Sequence, residues 1–144
     1  MAVFTPVSLE EITPRIATDF VIGEAILLKG IHGGIENSNF FLNCQDDGQV
    51  NEYVLTIFER LSFTQLPYYL ELMLHLANQG IPVPKPIVNR QGALVIELKG
   101  KPACIVTKLP GQSELAPQPE HCQEVGSMLA KMHLAGQSFS LSQP

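Results

Sequence analysis

The sequence predicts an α+β fold: a five-stranded antiparallel sheet with one helix packed on it, followed by a linker and one more helix. Three observations predict it. Strand-like runs rich in β-branched and aromatic residues fill the stretch from Phe20 to Phe58, broken by two turn signals. A single apolar stripe at helical spacing comes next. Beyond a proline-rich connector lie two more strand-like runs, after which the composition shifts to Pro and Gly.

The elements follow in order. Ser8-Leu-Glu-Glu11 has capping-box spacing and predicts a short helix, which Pro14 should kink or restart. Between the first two strands, residues 30–41 read Gly-Ile-His-Gly-Gly-Ile-Glu-Asn-Ser-Asn-Phe-Phe, a polar turn with apolar flanks. Gly33 and Gly34 can take φ > 0 and expose backbone N–H groups to an anion, although a plain hairpin turn has the same spelling. Neither the P-loop nor the dinucleotide fingerprint is present. Asp46-Asp-Gly-Gln49 is the second hairpin signal, and Tyr53-Val-Leu-Thr-Ile-Phe58 the third strand. Leu66, Leu70, Met73 and Ala77 form the stripe of a helix over 65–79, with Thr64 as N-cap, Pro67 in the first turn and Gly80 as its left-handed stop. Residues 81–86 are an extended connector, and strands are predicted over 93–98 and 102–108 around the turn at Lys99-Gly-Lys101. Residues 109–119 are linker. A last helix over 119–135 presents Val125, Met128, Leu129 and Met132, with Gly136 as its cap and 137–144 frayed.

Composition narrows the function classes. The chain has 144 residues, 45% apolar and 16% charged, which suits one globular domain. A net charge of −5 with nine Lys plus Arg argues against nucleic-acid binding, which needs a basic face. No apolar run approaches the about 18 residues of a membrane span, and the N-terminal stretch lacks a leader's basic region. Cys44, Cys104 and Cys122 are odd in number and far apart, so reduced thiols in a cytoplasmic protein are expected.

Order and wording together resemble a known family. Gly33-Gly-Ile-Glu-Asn-Ser-Asn-Phe40 looks like the phosphate-covering loop of the aminoglycoside phosphotransferase and choline kinase superfamily. Tyr53-Val-Leu-Thr-Ile57 looks like its third strand, and Gly80-Ile-Pro-Val-Pro-Lys-Pro86 like its connector. Val106-Thr-Lys-Leu-Pro-Gly111 resembles its hinge, and Val125-Gly-Ser-Met-Leu-Ala-Lys-Met-His133 the first helix of its large lobe. The resemblance implies a protein-kinase-like small lobe over 1–108, a hinge over 109–118 and the start of a large lobe over 119–144. Within the superfamily, the spellings Gly-Ile-Glu-Asn-Ser-Asn-Phe-Phe, Tyr-Val-Leu-Thr-Ile-Phe-Glu and His-Cys-Gln-Glu-Val-Gly are most similar to its bacterial homoserine kinases, which serve threonine biosynthesis. Phosphoryl transfer from ATP to the homoserine hydroxyl, with Mg2+, is what this implies. An aminoglycoside or choline-type acceptor, or a non-catalytic binding module, is the alternative.

The same resemblance implies the nucleotide site. Gly33, Gly34, Glu36, Asn37, Ser38 and Asn39 would lie over the phosphates, and Thr107, Lys108 and Leu109 would offer hinge backbone to adenine. Asn37, Ser38 and Asn39 equally fit turn-closing hydrogen bonds. Where such kinases carry a third-strand cation paired with a helix Glu, this chain has Thr56 and Glu71. Arg60 and Lys29 are substitutes for the cation, or solvated strand-end charges. The aspartates are Asp19, Asp46 and Asp47, too early for the family's catalytic or metal-binding Asp, so no catalytic or metal residue is assigned and both are expected beyond Pro144. The chain alone is therefore expected to be inactive. His32, His75 and His133 read as loop, packing or surface residues, and His121 beside Cys122 makes no metal site. The apolar face of the last helix is expected to dock on its own sheet, to pair with a second copy, or to stay exposed.

Overall fold

The computed structural model describes residues 4–144; Met1–Val3, the start of the stretch read for a leader, lie outside the described residues. The capping box forms as spaced: the Glu11 N–H donates to Ser8 Oγ at 3.2 Å and the Ser8 N–H to Glu11 Oε2 at 2.8 Å. Helix α1 (Leu9–Asp19) then continues through Pro14 without a restart. Pro14 lies on the exposed side with Glu10, so the Glu10 carbonyl that loses its N–H partner faces water.

Strands β1 (Glu24–Gly30), β2 (Asn37–Asp46), β3 (Gln49–Phe58), β4 (Ile96–Leu98) and β5 (Lys101–Thr107) form one antiparallel sheet in the order β1-β2-β3-β5-β4. Asp47 and Gly48 both take positive φ in the β2–β3 turn, as Lys99 and Gly100 do between β4 and β5. Paired left-handed residues match the strand twist in two-residue hairpins. β4 is shorter than expected, because Asn89 Oδ1 accepts the N–H groups of Gln91 and Ala93 and closes that stretch into a turn.

The sheet is covered on both faces, not by one helix alone. Ile12 and Ile16 of α1 are fully buried against Leu42, Leu55, Ile57 and Ile105. On the opposite face, Leu66 and Leu70 of α2 (Leu66–Asn78) pack with Cys104 and Val106. Thr64 does not cap α2. Ser62 does so from one turn earlier, accepting the Gln65 N–H while Gln65 Oε1 accepts the Ser62 N–H. Gly80 ends the helix at φ 81°, with Ile81 N–H donating to Leu76 O and Gly80 N–H to Ala77 O, as the sequence predicts.

Helix α3 (Pro119–Gly136) buries no residue, and Val125 and Leu129 stay 67% and 49% exposed. It meets α2 through its C-terminal end. His75 Nε2 lies 2.9 Å from Ala135 O, and Phe139 packs edge-on against Tyr68. The tail expected to fray is therefore held over its first turns, and Gly136 is the last helical residue with Gln137 as cap.

Candidate functional site

A cavity of about 310 Å³ opens between the sheet and α2. Val54 and Thr56 of β3 and Cys104 and Val106 of β5 form its wall, because alternate residues of each strand share one face. Leu70 and Met73 of α2 close one side, and Thr107, Lys108 and Leu109 form the rim where β5 leaves the sheet. Of the residues expected here from sequence, the structure brings together Thr56 and the three hinge residues. Val54, Leu70, Met73 and Cys104 are not among the residues expected here, and Val106 enters only as the start of the hinge motif; the period-two alternation through Thr56 is the signal for Val54.

The connector explains the rim. Ile87 N–H donates to Ile105 O and Thr107 N–H to Lys85 O, while Lys85 N–H donates to the Thr107 hydroxyl. The Lys108 N–H donates to Glu52 O, and its ammonium pairs with Glu52 Oε1 at 2.7 Å while lying 5.2 Å from the centre of the Phe41 ring. The N–H groups of Thr107 and Lys108 are thus spent within the protein. Leu109 is the first of these rim residues whose N–H the protein does not engage, among the described residues.

The loop departs from expectation at several positions. Gly33 takes φ 116° with open space around the Cβ it lacks, but Gly34 does not take a left-handed conformation. Glu36 pairs with Arg60 at 3.2 Å on the surface. Asn37, Ser38 and Asn39 are not in the loop itself: they are the first residues of β2, opposite Phe58, Ile57 and Thr56. Ser38 is fully buried on the α1 side. It accepts the N–H groups of Phe4 and Thr5 at 2.8 and 2.9 Å and donates to Glu59 Oε1 at 2.6 Å. Ser38 therefore faces away from the cavity, contrary to the expectation that it meets a phosphate. Asn39, on the cavity face, accepts the Thr56 hydroxyl at 2.8 Å.

Glu71 is also placed elsewhere. It is exposed on α2 beside His75, Asn78 and Ser138, lining a separate groove near the end of the chain, not the cavity with Thr56. The helical face turned to the cavity carries Leu70 and Met73 instead.

Burial of the Glu59 carboxyl pushes its pKa up, but hydrogen bonds from Lys101, Ser38 and Thr5 together hold it below the usual 4.5. Burial alone raises the thiols of Cys44 to about 11 and Cys104 to about 12, whereas Cys122 is exposed. Among the described residues no three His, Cys, Asp or Glu side chains form a metal-holding group, and no helix is long and apolar enough to cross a membrane.

A five-stranded antiparallel sheet, a helix after the third strand and a cavity at the exit of the fifth define a kinase-like small lobe. Two solved structures share the fold: spectinomycin phosphotransferase in complex with ADP and spectinomycin, at TM-score 0.70 and 12% identity, and amicoumacin kinase in complex with AMP-PNP and Ca2+, at 0.71 and 18%. They match 96% and 94% of this chain and 40% and 42% of their own. The chain belongs to the phosphotransferase enzyme family, whose model matches residues 27–143. It is similar over its whole length to the homoserine kinases of Cupriavidus metallidurans (62% identical) and a Janthinobacterium species (54%), and spans 44% and 43% of those proteins. The chain thus spans less than half the length of the curated relatives it matches.

Proposed function

We propose that residues 1–108 are the ATP-binding small lobe of a homoserine kinase, with 109–118 its hinge and 119–144 the first helix of its large lobe. The observation that carries this is the apolar cavity at the hinge, between Val54, Val106 and Leu70. It has the size and lining for a purine base, with the hinge backbone at Leu109 as its polar contact. The Gly33 loop joins β1 to β2 at the end of the sheet opposite the β5 exit, and the triphosphate would run towards it. Similarity to homoserine kinases over all 144 residues supports homoserine as the phosphoryl acceptor.

In such transfer the protein positions the nucleotide and stabilises charge. This part of the protein supplies a dry seat for adenine and a backbone cover for the phosphates. Among the described residues no three His, Cys, Asp or Glu side chains stand together to hold magnesium. Asp19 is tied to Arg15, and Asp46 and Asp47 sit at the β2–β3 turn, so the acceptor's base also belongs outside these residues. Cytoplasmic location fits this activity. Pairing of two copies through the exposed Val125 and Leu129 is the alternative cover for this face of α3, and sedimentation tests it.

The experiment is turnover by the full-length protein with ATP, Mg2+ and homoserine. Phosphohomoserine and ADP in equal amounts are expected. Transfer only to an aminoglycoside or choline would move the acceptor, and ATP binding with no transfer to any acceptor would leave a binding module.

A further inference from the structure

At the position from which a kinase's third strand usually reaches the phosphates with a cation, this chain has a neutral side chain with a defined job. Thr56 donates its hydroxyl proton to Asn39 Oδ1 directly across the β2–β3 ladder. With Oδ1 taken, the amide's Nδ2 is its remaining polar group. It donates to the Asn37 carbonyl at 3.4 Å, long for an N–H···O bond. Thr56 lines the cavity, so this oriented donor stands on the cavity face between the base seat and the loop.

The charge has a candidate source on the same face. Arg15, Arg60, Lys99, Lys101 and Lys108 are each held in an ion pair. Among the described residues Lys29, Lys85, Arg90 and Lys131 have no such partner, and of these Lys29 alone lies on a strand. It pairs with Phe41, which pairs with Val54 of the cavity wall. Directly opposed residues project to one face, so Lys29 stands on the cavity side of the sheet, immediately before Gly30 and the loop. Arg60, the other substitute, is tied to Glu36 at the sheet's outer end.

We propose that Lys29 of β1 and the Thr56-locked amide of Asn39 together grip the nucleotide phosphates, the charge of a third-strand lysine arriving from two strands away. The proposal rests on the nucleotide-binding reading above. Lys29 contributes a charge-assisted contact and Asn39 a directional neutral one.

Calorimetry on the full chain with two probes, adenosine and ADP, tests it. Lys29→Met should weaken ADP binding on the order of tenfold or more, Asn39→Ala and Thr56→Val about three- to tenfold, with adenosine affinity unchanged. Lys29→Arg should retain most ADP affinity. A purely structural Asn39–Thr56 pair would instead lower adenosine and ADP binding together, or neither, and overturns the proposal. ADP affinity unmoved by Lys29→Met overturns it as well. A wild-type chain that binds neither probe overturns the nucleotide reading and this proposal with it. Thermal unfolding of each variant within a few degrees of wild type shows that the comparison is between folded proteins.

Discussion

Ser38 and Glu59 meet at the base of the β2–β3 ladder, with Ser38 Oγ donating to Glu59 Oε1 at 2.6 Å. The same oxygen accepts the Thr5 hydroxyl at 2.8 Å, and Glu59 Oε2 is paired with Lys101 of β5. One carboxylate therefore fastens the N-terminal segment, two inner strands and β5. Ser38 also sits between Asn37 and Asn39, so this network fixes the start of β2, into which the Gly33 loop runs. A buried network of this kind is rigid only while every member is satisfied.

Ser38→Ala removes the acceptor of two backbone N–H groups and one donor to Glu59. Leaving buried groups unpaired costs about 1–3 kcal/mol, and a loss in that range is expected in urea unfolding, with an unchanged m-value. A midpoint equal to wild type would show that water replaces the serine without penalty.

The same network sets the acid limit of stability. Burial raises the Glu59 pKa and the hydrogen bonds from Lys101, Ser38 and Thr5 outweigh it, leaving the folded value below 4.5. A group depressed on folding binds more protons unfolded, so its contribution is complete above about 4.5 and fades as pH falls through the folded value. Glu11 is lowered in the same direction by Lys99 and Ser8, but it is open to solvent and adds little. The urea midpoint should therefore fall between about pH 5 and about pH 3, and fall less in Glu59→Gln. Parallel curves for the two proteins would assign the acid loss to other carboxylates.

How much of this was legible from residues alone depends on the range of the interaction. Local chemistry read well: the Ser8–Glu11 box, the Asp47-Gly48 turn and the Gly80 stop all form within a few residues of one another. Thr64 failed as a cap because Ser62, two residues away, has the better reciprocal partner in Gln65. At the site, the family resemblance points to Thr56 and to residues 107–109, which do line one cavity, and also to Ser38 and Glu71, which do not. Strand alternation turns Ser38 to the buried side, where its partner Glu59 is 21 residues away. Helix phase sets Leu70 and Met73 towards the cavity instead of Glu71. Both facts depend on which face meets which, and no local pattern encodes that.

Two glycines separate backbone strain from steric clash. Gly80 has φ 81° with open space where a Cβ would go, so Gly80→Ala should cost about 1 kcal/mol. Gly23 has φ 89°, and its Cβ would lie 2.2 Å from the Gln45 carbonyl oxygen. Gly23→Ala should therefore lose several times as much stability, or fail to fold, because backbone must move. Equal losses in the two variants would show that the β1 entry yields easily.

Thiol labelling reports burial directly. Cys104 and Cys44, with pKa values pushed up to about 12 and about 11, hold almost no thiolate at neutral pH and are shielded as well. Native protein should take up one equivalent of a thiol reagent quickly, at exposed Cys122, and the other two only on unfolding. Rapid labelling of Cys104 in native protein would mean that the cavity it lines opens to solvent.

The junction of α2 with α3 offers the last test. His75 Nε2 lies 2.9 Å from Ala135 O and 3.1 Å from Ser138 Oγ, and its ring packs at 5.5 Å against Phe139. Because α3 buries no side chain, little else holds it to the small lobe. His75→Ala should raise amide exchange over 135–141 while α1, the sheet and the body of α2 keep their protection. His75→Phe keeps the ring and loses the hydrogen bond, so it divides packing from polar contact. If His75→Phe protects 135–141 as wild type does, the aromatic contact with Phe139 and Tyr68 holds the junction. If it behaves as alanine does, the bond to Ala135 sets the position of α3. Unchanged exchange in both variants would mean that α3 is placed without His75, through Tyr68 and Phe139 alone.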